Sequence, residues 1–298
     1  MPAALRRRFR VPGAVLASVL GALSAAGRHP ALAADLDPVT VQREWDGRAS
    51  TQTAAFSLKT NLPGAEEARL VDAADALLDE TGEALGQLLE LSPRGPHRFR
   101  LSVFATTEEY RAYVSAIMTP ALRESMVEDS AGFYSGMRNE IVMACPGETF
   151  KACRPMLVHE FCHALAGRTV FMSGGERVTL NYLMPPWLDE GLAEYVSAQV
   201  TRDPPPPWGV LQGALKAGTL PALAGLIDPH GRPLEQPFFY PSAWSLVTLL
   251  IEQDPGQLKR YVQVLKTRRF ATDQFASVFG DPQELEPVWQ RFIAAKGK

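Results

Sequence analysis

Residues His159-Glu160-Phe161-Cys162-His163 place three side chains capable of metal chemistry within five positions. On a helix, histidines at i and i+4 project from one face and can grip one metal ion. Glu160, next to the first histidine, can reach a water on that ion. Downstream, Trp187-Leu188-Asp189-Glu190-Gly191-Leu192-Ala193-Glu194-Tyr195 sets Glu190 and Glu194 at i and i+4, on one face of a second helix. One carboxylate is enough to complete three protein ligands. A two-histidine, one-carboxylate set with an open position is the arrangement of hydrolytic zinc sites. The other carboxylate can take a hydrogen bond from the free ring nitrogen of a ligating histidine and so fix its tautomer.

Such a site needs two helices held against each other. Pro155 stands where the first can begin and Gly167 where it would end. Between them Met156, Leu157, Phe161, Ala164 and Leu165 supply positions for burial. A buried helix with two histidines and a glutamate must give them hydrogen bonds or a metal. Pro185-Pro186 ends the preceding loop and pre-sets the start of the second helix. Cys162 points away from the histidine face, which makes it a buried thiol and not a ligand.

The two strings together resemble the gluzincin metallopeptidases, the group of thermolysin and the aminopeptidase N type, and most closely the bacterial peptidase MA-like domain proteins. The resemblance implies a zinc peptidase holding one Zn²⁺ per chain. His159, His163 and Glu190 would be the ligands, Glu160 the general base, and Glu194 the acid behind a ligating histidine. Asp189 is a weaker rival for the ligand role, since adjacent helical residues point about a quarter turn apart or more. The stretch Ala131-Gly-Phe-Tyr-Ser-Gly-Met-Arg-Asn-Glu-Ile-Val-Met-Ala144 is similar to the family's hairpin before the motif helix. Phe239-Tyr240-Pro241-Ser242-Ala243-Trp244 resembles its tyrosine helix, and Phe270 to Phe279 with Trp289 its C-terminal segment. Most of the chain after residue 55 is covered, and the two metal motifs are its sharp part.

In the implied mechanism Glu160 takes a proton from the attacking water and passes it to the leaving amine. A hydroxyl donor would stabilise the oxyanion, and Tyr240 is the candidate by family match, with Tyr195 and Tyr134 behind it. An edge strand in the hairpin can pair with an extended substrate backbone. No short acidic motif for holding a substrate amino terminus is evident, which points to an endopeptidase or a narrow processing enzyme. The alternative is a non-catalytic, peptidase-like binding or scaffold module that keeps the metal site. A serine hydrolase fits poorly, because no G-x-S-x-G occurs.

The first 34 residues read as an export signal. Arg6, Arg7, Arg8 and Arg10 precede an apolar stretch from Val11 to Ala26, and Ala31-Leu32-Ala33 forms a cleavage site. An uncleaved membrane anchor is the competing reading, against which the stretch is short and interrupted by Pro12, Gly13 and Gly21. Cleavage there would leave 25 basic against 33 acidic residues and move the net charge from −3 to −8. That excludes a basic footprint for nucleic acid. The expected partner is a peptide or protein substrate, in the periplasm or outside the cell. Cys145 and Cys153 bracket a short loop where an oxidising compartment would form a disulfide.

Along the rest of the chain, residues 35–54 read as an extended lead-in and 55–200 as an α+β zinc-binding lobe. Strands are expected at Ala55 to Lys59, Arg98 to Ala105, Gly132 to Tyr134 and Glu140 to Met143. Ala65 to Leu91 has helical spacing, and Thr106 opens another helix. Pro204 to Pro207 form a stiff linker into a helical C-terminal lobe, residues 201–298, with helices near 210–226, 238–253, 255–267 and 282–295. The expected fold is α+β, a small mixed sheet with an edge hairpin packed on the motif helix, as in a thermolysin-like unit.

Overall fold

A computed structural model describes residues 36–91, 97–118, 131–146, 149–173, 176–202, 207–228, 238–267 and 274–296. The expected signal at 1–34 and Pro204 to Pro206 lie outside the described residues. Helix α1 (Pro38–Gly47) leads to strands β1 (Thr51–Gln52) and β2 (Phe56–Thr60), then to the long helix α2 (Gly64–Leu88). Strand β3 (Phe99–Phe104), helix α3 (Thr107–Ile117) and the hairpin β4 (Gly132–Ser135) and β5 (Glu140–Ala144) follow. Helix α4 (Phe150–Arg168) carries the histidines. A second hairpin, β6 (Val170–Ser173) and β7 (Glu176–Thr179), and the short α5 (Leu180–Leu183) connect it to α6 (Pro186–Thr201). The remainder is helical: α7 (Trp208–Ala217), α8 (Leu223–Ile227), α9 (Phe239–Gln253), α10 (Gly256–Thr267), α11 (Ala276–Phe279) and α12 (Pro282–Ala295).

The main sheet runs in the order β1-β2-β3-β5-β4. β2, β3 and β5 are parallel, and β1 and β4 close the edges antiparallel. This is a mixed α+β fold with a small sheet. Alternation along the strands divides its faces. Phe99, Leu101, Val103, Ile141 and Met143 join the large core with α2 and α4, while Phe104, Val142, Ala144 and Phe133 pack under α1 and α3. Trp45 of α1 stacks on Phe104 at 3.7 Å between ring centroids and closes that second layer. The large core runs without a break from Ala55 to Ile293, so the helical C-terminal region shares it with the sheet. No described helix is long and apolar enough to cross a membrane.

Three local expectations are corrected. The stretch expected as an extended lead-in contains α1, because Asp37 accepts a hydrogen bond from Thr40 N at 3.1 Å and Pro38 stands in the first turn, a complete helix start. The motif helix begins at Phe150, five residues before Pro155. The Phe150 N–H donates to the buried Glu66 Oε2 at 2.6 Å, and the Cys145–Cys153 disulfide ties down the same turn. Pro155 then sits inside the helix, where its ring removes one early hydrogen-bond donor. The single helix expected over 210–226 is two, because Gly218 takes the left-handed conformation at φ 68° and ends α7. The β6–β7 hairpin was not expected at all.

Candidate metal centre

Helix α4 runs through the middle of the molecule, between the sheet and α6. From Leu157 to Ala166 every residue is buried. Its polar groups therefore lie in the interior, where each requires a partner. Helix α6 supplies them. His159 and His163 turn their Nε2 atoms toward each other, 3.0 Å apart. Glu190 completes the group, with Oε2 3.2 Å from His159 Nε2 and Oε1 3.6 Å from His163 Nε2. One donor atom from each of the three residues lies within 4.8 Å of the others, and all three residues are buried.

The far side of each imidazole meets a different carboxylate. His159 Nδ1 lies 3.1 Å from Glu194 Oε1, and His163 Nδ1 lies 3.3 Å from Asp189 Oδ1. Glu194 was expected behind a histidine. Asp189, the weaker rival for the ligand role, lies behind His163. Two histidines one turn apart leave two outer nitrogens to satisfy, and Asp189 meets the second of them.

The charges follow from these contacts. Burial alone would push both imidazoles down. For His159 the Glu190 and Glu194 carboxylates override it and raise the pKa to about 9. For His163 Asp189 and Glu190 raise it well above the ordinary value. Burial would raise Glu190, but His163 and His159 hold it down at about 2. Without a metal, the surrounding carboxylates favour protonation of the imidazoles.

The group fits a cation better than it fits protons. Although Glu190 lies within ion-pair distance of both rings, neither of its fully buried oxygens receives a hydrogen bond of acceptable geometry. Two inward-facing imidazole nitrogens and an unsatisfied carboxylate form a site that could hold a metal ion. Nitrogen and oxygen donors of this kind suit several divalent metals, zinc among them.

Glu160 follows His159 on the same helix. It is fully buried, and its Oε1 lies 3.4 Å from where a Cβ on Gly132 of β4 would stand, so the sheet edge passes beside its carboxylate. Of Tyr240, Tyr195 and Tyr134, only Tyr240 senses the carboxylates of this group. Burial raises its hydroxyl pKa, and the Glu190, Glu194 and Glu160 carboxylates raise it further. Tyr195 feels Glu252 instead, and Tyr134 directs its hydroxyl toward Asn139 Oδ1 at 3.5 Å. Cys162 is a buried free thiol, and burial pushes its pKa up. Gly167 lies one residue inside the end of α4, and a Cβ there would meet the Tyr134 ring at 2.5 Å. No protein-family model matches the chain, and no curated protein matches it.

Proposed function

We propose that the chain is an exported zinc-dependent peptidase of gluzincin type, with a thermolysin-like catalytic unit. The observation that supports this most is the convergence of both Nε2 atoms on a buried glutamate whose oxygens lack hydrogen-bond donors, with a separate carboxylate behind each histidine. His159, His163 and Glu190 would hold the ion, while Glu194 and Asp189 keep both rings turned inward. When bound, zinc supplies Lewis-acid polarisation of the scissile carbonyl and lowers the pKa of water.

The remaining steps belong to the chain itself. Glu160 accepts the proton of the attacking water and returns it to the leaving amine. Tyr240 donates its hydroxyl to the developing oxyanion, and its raised pKa keeps that proton in place. β4 forms the edge of the sheet beside Glu160, the place for an extended substrate backbone to pair. The Cys145–Cys153 bond accords with an oxidising compartment.

A second reading, a metal-holding module without turnover, is favoured by the burial of His159, Glu160 and Glu190 to 2 % exposure or less. Metal analysis of the purified chain, coupled to cleavage of a diverse peptide library with and without chelator, separates the two. One zinc per chain with chelator-sensitive cleavage is the expected result. Stoichiometric zinc with no such cleavage selects the second reading.

A further inference from the structure

Helices α6 and α9 cross in contact at one glycine. A Cβ on Gly191 would lie 2.6 Å from the Ala243 carbonyl oxygen, 2.9 Å from the Ala243 carbonyl carbon and 2.7 Å from Val247 Cγ2. Two of these neighbours are backbone atoms, which no side-chain rotation can move aside. Gly191 adjoins the ligand Glu190, while Ala243 and Val247 lie three and seven residues beyond Tyr240 on α9. Residues at that spacing share a helix face. The face of α9 that presses on Gly191 is therefore the face that carries Tyr240, whose hydroxyl senses the Glu190, Glu194 and Glu160 carboxylates.

We infer that Gly191 is a positioning residue: its missing side chain lets α9 close on α6 and seats the Tyr240 hydroxyl at the metal centre. The inference rests on the peptidase reading for its catalytic consequence but not for its geometry. Gly191 has no side chain of its own to react and acts only through Tyr240. An added methyl must move α9 away from α6, and it does so at the turn that bears the hydroxyl. A displacement of about 1 Å at a reacting group can cost about a hundredfold in rate.

The test uses the full chain with 3-fluorotyrosine placed at position 240, with and without added zinc. In the wild type, zinc should shift the fluorine resonance. In Gly191→Ala zinc stoichiometry should be unchanged while that shift falls by more than half. On the best peptide from the library, Gly191→Ala should lower kcat at least about tenfold with little change in KM. Tyr240→Phe should lower it by about 10²–10³. The double variant should be no slower than Tyr240→Phe alone, since the glycine acts only through that hydroxyl.

An unchanged fluorine shift in Gly191→Ala, or losses that multiply in the double variant, would overturn the inference. If the wild type binds zinc but cuts nothing, the peptidase reading falls and the fluorine measurement still decides the geometry. If Gly191→Ala does not fold, Val247→Ala in the same background removes the Cγ2 contact and leaves the one to the Ala243 carbonyl. The fluorine shift is then read in that protein, and a wild-type response there rejects the role.

Discussion

Glu140 and Glu190, both fully buried, lie on opposite sides of the sheet and are treated in opposite ways. Glu140, at the start of β5, faces α1 and α3. It accepts from Arg138 Nε at 2.7 Å, Ser102 Oγ at 2.8 Å and Tyr113 Oη at 3.3 Å, with Arg100 at 4.0 Å. Its partners are themselves tied, since Trp45 Nε1 donates to Ser102 and Arg138 Nη2 donates to Tyr113. Glu190, beyond α4, has two imidazoles near it and no well-formed hydrogen bond. A closed network of this kind needs nothing further. A buried carboxylate left open among imidazoles could hold a cation, so lack of satisfaction marks a candidate site where burial by itself does not.

The harshest way to break this contrast is to remove one charge from each region. Glu160→Gln should lower turnover by about 10²–10⁴-fold, with zinc content and unfolding midpoint close to wild type. Glu140→Gln should do the reverse. It leaves Arg138 with a weaker partner and should cost about 2–3 kcal/mol of stability, less than a fully buried pair because Arg138 is 31 % exposed. Turnover per folded molecule should not change. Peptide cleavage and denaturant melts on the two proteins check this, and a Glu160→Gln protein that cuts at the wild-type rate removes that residue from the mechanism.

The second contrast is in metal-linked stability. With zinc a thousandfold above its dissociation constant, the wild type should gain about 4 kcal/mol. Glu140→Gln should start lower and show the same gain. Glu190→Gln should lose most of the gain, because the ion would then have two protein ligands. Paired melts with zinc and with chelator measure the increments. Equal increments in all three proteins would mean that the ion, if bound, is held elsewhere.

How much of this was legible in the sequence differs between the same two regions. The grouping of His159 and His163 with Glu190 and Glu194 is legible because i to i+4 spacing on a helix survives in one dimension. Glu140 was readable only as a strand residue. Its partners come from three separate elements, and no local pattern links Ser102, Tyr113 and Arg138. Asp189 is legible only as a weaker rival for the ligand role, since its place behind His163 depends on how α6 crosses α4. Gly191 carried no signal, because a close helix approach is a property of the pair. α1 was missed although Asp37-Pro38 and Thr40 announce it, its polar residues having masked a short apolar face around Trp45.

The third contrast lies inside the metal centre, between the two acids behind the histidines. Asp189→Asn and Glu194→Gln should each weaken zinc binding by about 10–100-fold, the usual effect of removing such a partner. Glu194 is 26 % exposed and Asp189 14 %, so the Asp189 change should be the larger. Competition against a chromophoric chelator measures both, and an affinity unchanged in Asp189→Asn would return that residue to a purely structural place.

The last effect is in pH, and its sign is fixed by the same contacts. In the metal-free chain His159 has its pKa raised to about 9, so its proton stabilises the fold below the unfolded value of about 6.5 and is lost as pH rises through 9. Ligation needs the neutral ring, so zinc must displace that proton across this window. Affinity should therefore climb with pH between about 6.5 and 9, tenfold per unit for each proton released. His163, raised in the same direction, steepens the climb. Glu190, held at about 2, is ionised throughout and contributes nothing to it. Chelator competition at pH 6.5, 7.5 and 8.5, with proton release followed by an indicator dye, reads the slope directly. Glu140 binds no zinc and should leave that slope untouched when changed to Gln, whereas Glu194→Gln, by removing one of the carboxylates that raise His159, should flatten it.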